Sequence, residues 1–300
     1  MRSFKYFISH PNDLLSSLLK KYGKYLPDSL YLRWQYRLLM GRNLDLNNPK
    51  TFTEKILWLK IHNRKPLMTT MVDKYAVKEY VAQRIGSKYI IPTLGVWNTL
   101  EEVDWESLPQ KFVLKTTHGG GGTGVVVVKD KSKARRDETL EKLRWSYQRE
   151  GYVANREWPY KNVPKRIIAE EFIEIPDKDD LTDYKVFCFN GKPEFIQVIQ
   201  DRHTCETIDF YDTQWNHQNF VGLNPFAKNS AKPVARPKNL DEMLCIAEKL
   251  ARGQIFVRVD LYQTDKGIFF GEITFFPASG IGRFTPDEWD LKLGELIKLS

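Results

Sequence analysis

The first third of the chain carries apolar residues at the spacing of amphipathic helices. This spacing predicts one or two helices over residues 12–41 and a further helix over about residues 70–84. Between them, Thr51 or Thr53 can cap a helix whose apolar side chains recur every three to four positions. The N-terminal part of the chain is therefore predicted to be helical.

The remainder of the chain alternates between strand-like and helical segments. Runs of β-branched and aromatic residues predict strands at residues 90–96, 111–115, 125–128, 167–173, 184–189, 193–200 and 207–211. Helical spacing returns within residues 131–150, 240–252 and 286–299, and residues 212–238 are predicted to form a long polar loop. This order indicates a helical opening followed by a strand-rich remainder.

The strongest strand signal is a hairpin within residues 256–276, which read FVRVDLYQTDKGIFFGEITFF. A three-residue loop at residues 265–267, with Gly267 in the left-handed conformation, sets the register of the two strands. The predicted pairs are Thr264 with Ile268, Tyr262 with Phe270, Asp260 with Glu272, and Arg258 with Thr274. Because successive side chains alternate between the two faces of a strand, these side chains are predicted to share one face.

The two opposed acids of this hairpin form the first candidate site. Carboxylates that face each other across a strand pair repel unless a positive charge lies between them. Hard oxygen ligands suit Mg²⁺ and the phosphates that accompany it, so Asp260 and Glu272 are candidate magnesium ligands. The alternative is an exposed edge hairpin with solvated acids.

Composition places the chain among ordinary globular proteins. It has 300 residues, of which 42% are hydrophobic and 28% charged, enough for one large domain or two lobes. No apolar run approaches the length of a membrane span, and the N-terminus lacks the apolar core of a signal peptide. The widely spaced Cys188, Cys205 and Cys245 fit neither a disulfide framework nor a zinc site, so a cytoplasmic protein with reduced thiols is expected.

The positive net charge of +8 predicts an anionic partner such as a nucleotide or an acidic glycan. Basic residues are spread along the chain rather than grouped, so a nucleic-acid partner is not indicated. Residues 1–25 combine five basic side chains, one acid and a leucine stripe at helical spacing. This segment could contact the inner face of a membrane, and packing on the body of the protein is the alternative.

A glycine-rich segment between two predicted strands is the second candidate site. After His118, it contains Gly119, Gly120, Gly121, Gly122 and Gly124. A dinucleotide-binding turn or a Walker loop must open a helix, whereas four valines follow here, so both are excluded. The catalytic and magnesium-binding motifs of protein kinases are also missing. The segment is therefore predicted to be a flap whose backbone N–H groups cover phosphates, with a mobile surface turn as the alternative.

Two lysines add positive charge near these candidate sites. Lys115 ends the strand that enters the flap, where its ammonium would meet a phosphate oxygen, and Lys185 lies two residues after Asp183 on another strand. Each lysine alone could be a solvated surface residue. Together with the flap and the paired acids, they predict a nucleotide–magnesium site.

Five ordered motifs carry a family resemblance. They are NPKTFTEK at 48–55, VDKYAVKEYV at 72–81, KTTHGGGG at 115–122, DYKVFCFNGKP at 183–193 and FGEITFFPASG at 270–280. Together they resemble the TupA-like ATP-grasp family of cell-surface polysaccharide biosynthesis. The resemblance implies an α+β ATP-grasp fold, in which two α/β lobes with antiparallel sheets clasp ATP. It implies a helical N-terminal region at 1–70, a lobe with the flap at 71–173 and a lobe with the metal hairpin at 174–300.

The resemblance also implies roles for individual residues. Lys74 and Lys115 match the lysines that hold the nucleotide phosphates, and residues 119–124 match the phosphate flap. Glu170, Glu171 and Ile173 match the strand that recognises adenine, and Asp183 matches the residue that contacts the ribose. Asp260 and Glu272 match the magnesium ligands, and Arg258 matches the arginine that stabilises negative charge in the transition state. Thr274 stands where many ATP-grasp enzymes have an asparagine as third metal ligand, so a weaker hydroxyl ligand is expected there. Lys185 joins Arg258 as a catalytic candidate, and His118 could touch the γ-phosphate or lie at the flap tip.

The implied activity is that of an ATP- and magnesium-dependent ligase that forms an amide through an acylphosphate. The expected acceptor is a uronic-acid sugar of a capsule, O-antigen or cell-wall polymer, and the expected amine is an amino acid or amino alcohol. A sugar kinase or a glycosyltransferase in the same pathway is the alternative, although the nearest acid pair of the transferase type, at residues 177–180, looks like a solvated turn. A basic scaffold that binds anionic glycan would leave the metal hairpin unexplained.

The acceptor site is predicted from the segment that follows the Glu272 strand. Ser279 and Gly280 offer hydroxyl and backbone donors, and Arg283 offers a fork suited to a carboxylate. The alternative is a glycine-rich connection to the last helix with Arg283 solvated.

Overall fold

The computed structural model describes residues 11–120, 124–173, 182–200, 206–224 and 226–299. Predictions for Gly121, Gly122, Cys205, residues 1–10 and residues 177–180 therefore lie outside the described residues. The bounds of the helices are α1 Pro11–Tyr22, α2 Asp28–Met40, α3 Phe52–His62, α4 Pro66–Val72, α5 Ala76–Ile85, α6 Arg136–Gln148, α7 Leu240–Ala251 and α8 Glu288–Leu296. The helical opening and the break before Asp28 are confirmed.

Side-chain hydrogen bonds mark the start of α3 and the break between α4 and α5. Thr51 caps α3: its Oγ1 accepts from the Glu54 N–H at 3.3 Å, and the Glu54 carboxylate accepts from the Thr51 N–H at 3.1 Å. The helix predicted over about residues 70–84, opening near Asp73 and Lys74, is present as α5, but residues 70–72 belong to α4. Asp73 Oδ1 accepts the N–H groups of Tyr75 and Ala76 at 2.8 and 3.2 Å, and this local bonding separates α4 from α5.

Within the described residues, three antiparallel sheets form the strand-rich remainder, and the smallest of them has two strands. The first has the order β1-β4-β2-β3, and the second has the order β11-β10-β5-β6-β7-β8. The strand bounds are β1 Thr93–Trp97, β2 Phe112–Thr116, β3 Val125–Val128, β4 Ile167–Glu171, β5 Asp183–Phe189, β6 Lys192–Gln200, β7 Thr207–Asp212, β8 His217–Gln218, β9 Val221–Gly222, β10 Phe256–Thr264, β11 Gly267–Thr274 and β12 Phe284–Thr285. The predicted α+β class is confirmed, and residues 212–238 hold two short strands, β8 and β9, within the predicted loop.

The β10–β11 hairpin differs from its predicted register near the turn. Thr264 pairs with Gly267, so the loop has two residues, and Gly267 has a φ of 123°, outside the left-handed helical region. The predicted pairs Tyr262–Phe270 and Thr264–Ile268 are therefore wrong. A bulge that includes Gly271 shifts the register by one residue, and the pairs Asp260–Glu272 and Arg258–Thr274 form as predicted.

The bulge needs a glycine because the chain approaches itself closely at this point. A Cβ at Gly271 would lie 2.9 Å from the Tyr262 ring and 3.1 Å from the Asp260 carbonyl oxygen. The two-residue turn and the bulge compensate each other. The functional pairs consequently keep the predicted register although the turn does not.

The motif at residues 48–55 ties the N-terminal helices to the C-terminal helix. Thr53 donates from N–H and Oγ1 to the Asp290 carboxylate at 2.8 and 2.7 Å. Lys55 Nζ donates to the carbonyls of Gly294 and Ile297, both at 2.8 Å, at the end of α8. This motif is structural, since its polar side chains bond α8 rather than the candidate sites.

The large sheet packs against helices from both the N-terminal and the C-terminal parts of the chain. One buried cluster joins side chains of α3, α4 and α5 with those of β5, β6, β10 and α7, among them Phe52, Val81, Phe187 and Leu250, each wholly buried. A separate cluster lies between the small sheet and α6, around Phe112 and Leu143.

The leucine stripe of α1 is largely exposed among the described residues. Leu14, Leu15 and Leu18 are 38%, 49% and 42% exposed. Within the described ranges, no helix is long and apolar enough to cross a membrane. Contact of residues 1–25 with a membrane surface stays a prediction.

Candidate active site

Arg258 lies at the centre of the acidic hairpin. Its Nε and Nη2 donate to the two oxygens of Asp260 at 2.6 and 2.7 Å. Nη2 also donates to Glu272 Oε1 at 3.2 Å and to Thr274 Oγ1 at 3.1 Å. The positive charge that two opposed acids require is therefore supplied by a side chain of the same hairpin.

Lys185 adds a second cation to this cluster from the neighbouring strand β5. Its Nζ donates to Asp260 Oδ2 and lies 3.6 Å from the Asp183 carboxylate. Asp260 is only 1% exposed, so its two oxygens are held by cations in the interior. The structure thus brings together Arg258, Lys185, Asp183 and Asp260 on two adjacent strands. The sequence grouped Lys185 with the paired acids but did not predict that these strands pair.

Glu272 connects the hairpin to the flap. Its Oε2 lies 3.9 Å from Lys74 Nζ, and that ammonium donates to the carbonyl of Gly119. Burial alone would raise the pKa of Glu272, but Lys74, Lys185 and Arg258 outweigh burial and lower it to about 2. Glu272 is therefore ionised at neutral pH, and its side chain is 39% exposed.

Glu170 on β4 is held between two lysines. Lys78 Nζ and Lys115 Nζ lie 2.5 Å from its two oxygens, and Glu170 is 5% exposed. Burial would raise the pKa of Glu170, but the two ammonium groups outweigh burial and lower it. The Lys115 ammonium, predicted to meet a phosphate oxygen, pairs with Glu170 in this structure.

The flap positions that the structure describes differ in the physical reason why glycine occupies them. A Cβ at Gly119 or Gly124 would lie 2.3 or 2.2 Å from Thr116 Oγ1, which is hydrogen-bonded to Ser146 Oγ at 2.9 Å. These two glycines are required for packing around that bond. Gly120, in contrast, has open space where a Cβ would be, so a bound ligand can approach it closely.

Replacement of Gly119 by alanine is expected to destabilise the protein by about 1–3 kcal/mol, because the added methyl must displace the Thr116–Ser146 pair. The matched control is Gly120→Ala, whose added methyl meets no atom of the residues that the structure describes. Denaturant unfolding of both variants measures the difference. Equal stability of the two variants would contradict this packing assignment.

His118 lies between the flap and α6. It is 4% exposed, and its Nε2 is 3.2 Å from the Tyr147 carbonyl oxygen. Burial, helped by the charge of Lys165, lowers its pKa. His118 is therefore neutral at neutral pH, and it is a buried wall residue rather than an exposed flap tip.

A cavity of about 860 Å³ opens between the flap and the large sheet. Its wall combines the flap, residues 146–160, β5 to β7, the hairpin and residues 276–279. The sequence-predicted residues that line it are His118, Gly119, Gly120, Lys185, Arg258, Glu272, Thr274 and Ser279. The phosphate flap, the acidic hairpin and one predicted acceptor residue thus face the same space.

Several predicted residues lie away from this cavity wall. The Glu171 N–H, predicted to read adenine, donates to the Pro92 carbonyl at 3.1 Å, and Ile173 lies two residues further along. Gly280 has a φ of +70° and packs against α3, where a Cβ would lie 2.8 Å from Ile56. Arg283 is exposed and donates to the Leu39 carbonyl at 2.8 Å. The binding roles of these residues stay predictions.

Sequence reasoning missed several polar residues of the site. Lys78 lies within the motif at residues 72–81, in the first turn of α5, and no role was predicted for it. Gln197 pairs with Lys185 across β5 and β6 and lines the cavity. Glu157 and Tyr160 also line it, from a segment that carries no sequence signal of its own.

The oxygens of the hairpin are candidate ligands for a magnesium ion. Thr274 Oγ1 lies 3.3 Å from Glu272 Oε1, and both residues line the cavity, so a carboxylate and a hydroxyl are available to an ion there. The described residues contain no group of three or more His, Cys, Asp or Glu side chains arranged for a metal. Both Asp260 oxygens are bonded to cations, so an ion on Asp260 must replace one of those contacts. The donor chemistry nevertheless fits magnesium, with Glu272, Thr274 and Asp260 as the residues that would hold it.

A family profile described as TupA-like ATPgrasp matches residues 54–298. This range contains four of the five sequence motifs whole and the last two residues of the first. A search of curated proteins found no significant match.

Many solved structures are distantly similar to the chain. The D-alanine–D-alanine ligase from Bacillus anthracis complexed with ATP aligns with a TM-score of 0.40 and 17% identity, over 69% of this chain and 54% of that chain. The Helicobacter pylori D-alanine–D-alanine ligase gives 0.42 and 16%, over 84% and 70%. The D-alanyl-alanine synthetase A from Vibrio cholerae O1 gives 0.43 and 11%, over 75% and 61%. The chain spans little more than half the length of the Bacillus and Vibrio ligases, and scores this low add nothing to the family match.

Proposed function

The chain belongs to the TupA-like ATP-grasp family, and on that premise we propose that it is an ATP-dependent ligase that joins a carboxylate to an amine. The observation that carries the proposal is the cavity onto which Arg258, Glu272 and the glycine flap all open. An activated phosphate, a carboxylate and an amine can meet there. The site offers positioning and charge stabilisation, which phosphoryl transfer requires more than a protein nucleophile.

We assign the nucleotide to the space between the flap and the hairpin. Lys74 and Lys115 would hold its phosphates, with the Gly120 backbone close above them. Lys115 must then exchange part of its contact with Glu170 for a phosphate oxygen. The strand from Glu170 to Ile173 would border the adenine, and Asp183 the ribose.

The hairpin would stabilise the charge that develops during transfer. Glu272, Thr274 and Asp260 would hold magnesium, which when bound neutralises the phosphate oxygens. Arg258, already fixed by three oxygen-bearing side chains, would face the transferring phosphoryl group. Lys185 on β5 would add a second positive charge beside Arg258. Both cations are held in place before the substrate binds.

The proposed reaction has two steps. An acceptor carboxylate oxygen attacks the γ-phosphorus of ATP, an O–P bond forms, and ADP leaves. The amine nitrogen then attacks the acylphosphate carbonyl carbon, a C–N bond forms, and the C–O bond to phosphate breaks. The products are an amide, ADP and inorganic phosphate, and the nitrogen releases its protons.

The substrates are proposed from the family and from the charge of the cavity. A uronic-acid sugar of a cell-surface polysaccharide would supply the carboxylate, and an amino acid or amino alcohol would supply the amine. The protein would work in the cytoplasm, where the ATP and the sugar precursors are available. Arg258 and Lys185 favour an anionic acceptor at the hairpin side of the cavity.

A product assay distinguishes this ligase from its alternative. The purified protein is incubated with ATP, magnesium, a panel of uronic acids and a panel of amino acids, and ADP and free phosphate are measured. The proposal expects equal amounts of both, and only when an acid and an amine are supplied together. ADP without free phosphate indicates a sugar kinase, and a requirement for a sugar nucleotide indicates a glycosyltransferase.

A further inference from the structure

Glu157 is an acid in the cavity wall that neither the hairpin nor the flap uses. It lies just before the short 3-10 helix Trp158–Asn162, and its Oε1 accepts a hydrogen bond from Ser279 Oγ at 2.6 Å. Both residues line the cavity. Among the described residues the Glu157 carboxylate forms no ion pair, and Ser279 Oγ is its one hydrogen-bond partner, while the Glu157 backbone carbonyl accepts from the Tyr160 N–H at 3.1 Å. One carboxylate oxygen is thus left for a ligand.

A strained turn holds Ser279 in place against Glu157. Ala278 and Ser279 have φ angles of 45° and 55°, in the left-handed region that residues other than glycine rarely adopt. The Lys60 ammonium, wholly buried, donates to the carbonyls of Ser279 and Asn155, both at 2.8 Å. The surrounding structure therefore maintains a costly backbone conformation that orients one hydroxyl toward one acid.

The charges around Glu157 leave it ready to accept a cation or a proton. Burial raises its pKa, while Lys60 and the Ser279 hydroxyl oppose the rise and Glu272 adds to it. Tyr160, from the adjoining 3-10 helix, is a further titratable neighbour of Glu157. Burial raises the pKa of Tyr160 well above its usual value. Lys60 is the nearby cation, and its charge is already satisfied by two carbonyl oxygens.

We propose that Glu157, oriented by Ser279, binds the ammonium of the amine substrate and removes a proton from it. This inference rests on the proposed ligase function. The step is balanced: the Glu157 carboxylate accepts one proton from R–NH₃⁺, and the resulting R–NH₂ attacks the acylphosphate. Its lone pair forms the C–N bond, the C–O bond breaks with its electrons on the leaving phosphate, and that phosphate takes the second nitrogen proton as the amide forms.

The position of Glu157 favours the amine over the acceptor as its ligand. A carboxylate substrate would be repelled by Glu157 and attracted by Arg258 and Lys185, which line the same cavity. The ammonium group of an amine substrate would be attracted by Glu157 and repelled by Arg258 and Lys185. The two kinds of side chain therefore separate the two substrates within a single cavity.

Hydroxylamine separates the role of Glu157 from the formation of the acylphosphate. It is largely neutral near neutral pH and traps acylphosphates as hydroxamates, so it needs neither an ammonium site nor a base. Glu157→Gln keeps an acceptor for the Ser279 hydroxyl. With a uronic acid and ATP, we expect wild-type hydroxamate formation, together with a loss of about 100-fold or more in kcat/KM for an amino acid. The control is Glu150→Gln, an exposed acid seven positions earlier, which should retain both activities.

The pH dependence of the Ser279→Ala variant is a second test. A merely structural role of Glu157 would leave that pH dependence unchanged. The Ser279 hydrogen bond lowers the pKa of Glu157, so its removal raises that pKa. Because the base must be ionised, the acid limb of kcat/KM for the amine should move to higher pH.

Each outcome decides the inference. If Glu157→Gln keeps full activity with the amino acid, or loses hydroxamate and amide formation equally, Glu157 is not the amine site. An acid limb that does not move in Ser279→Ala also overturns it. If the wild-type protein forms no hydroxamate with any uronic acid, the proposed function itself has failed.

Discussion

Replacement of Asp260 by asparagine is expected to reduce turnover by about 10³-fold or more, since the hairpin would lose the acid that fixes both cations and would help hold magnesium. The variant should also be less stable by about 3 kcal/mol. Asp260 is 1% exposed and bonded to Arg258 and Lys185, so an asparagine leaves two interior cations without their full counter-charge. ADP release and denaturant unfolding measure the two effects.

Asp209 provides a matched control on the same sheet. It is also 1% exposed and accepts from the Ser230 N–H and from His217 Nε2 at 2.9 Å, but it does not line the cavity. Asp209→Asn should cost about 1–3 kcal/mol of stability and retain turnover per folded molecule. If Asp260→Asn and Asp209→Asn lose stability equally and both remain active, the hairpin is not the catalytic centre.

Replacement of Glu170 by glutamine should destabilise the protein by about 3 kcal/mol, because Lys78 and Lys115 would then face each other with no acid between them. The double variant Glu170→Gln, Lys78→Met should recover part of the loss, since it removes one of the two like charges. Unfolding free energies of the single and double variants complete the test. A double variant less stable than the single one would show that the lysines do not repel in this arrangement.

The same triad predicts a pH dependence of stability. The two lysines lower the pKa of Glu170 below its ordinary value of 4.5 in the folded protein. Its stabilising contribution is therefore complete above about pH 4.5 and is lost as the pH falls below that value. The stability difference between wild type and Glu170→Gln should stay constant between neutral pH and about pH 4.5. Below that value it should narrow.

The hairpin shows how far the sequence could predict the site. Counting outward from the predicted turn gave the pairs Asp260–Glu272 and Arg258–Thr274, and strand alternation put their side chains on one face. The turn itself was predicted with one residue too many. The error cancelled at Gly271, where close approach of Tyr262 demands a bulge that no local pattern shows. Alternation was sufficient for the shared face, whereas the register and the turn depended on tertiary contacts.

Other parts of the site could not be predicted because they depend on distant segments. Lys115 was expected to be free for phosphate, but its partner Glu170 lies across a strand pair and Lys78 lies on a separate helix. Glu157 has no distinctive sequence neighbours, and its role follows from contact with Ser279, which is 122 positions away. Arg283 was placed near the acceptor by its proximity in sequence to Glu272, and the chain turns it toward α2 instead.

The fate of the acceptor oxygen tests the central claim most directly. A uronic acid whose carboxylate oxygens carry a heavy isotope is incubated with ATP, magnesium and an amino acid, and the inorganic phosphate is examined by mass spectrometry. The ligase mechanism requires the acceptor carboxylate to become an acylphosphate, so each phosphate released should carry one labelled oxygen and match one amide formed. Free phosphate without label, or ADP without free phosphate, would contradict ligation through an acylphosphate.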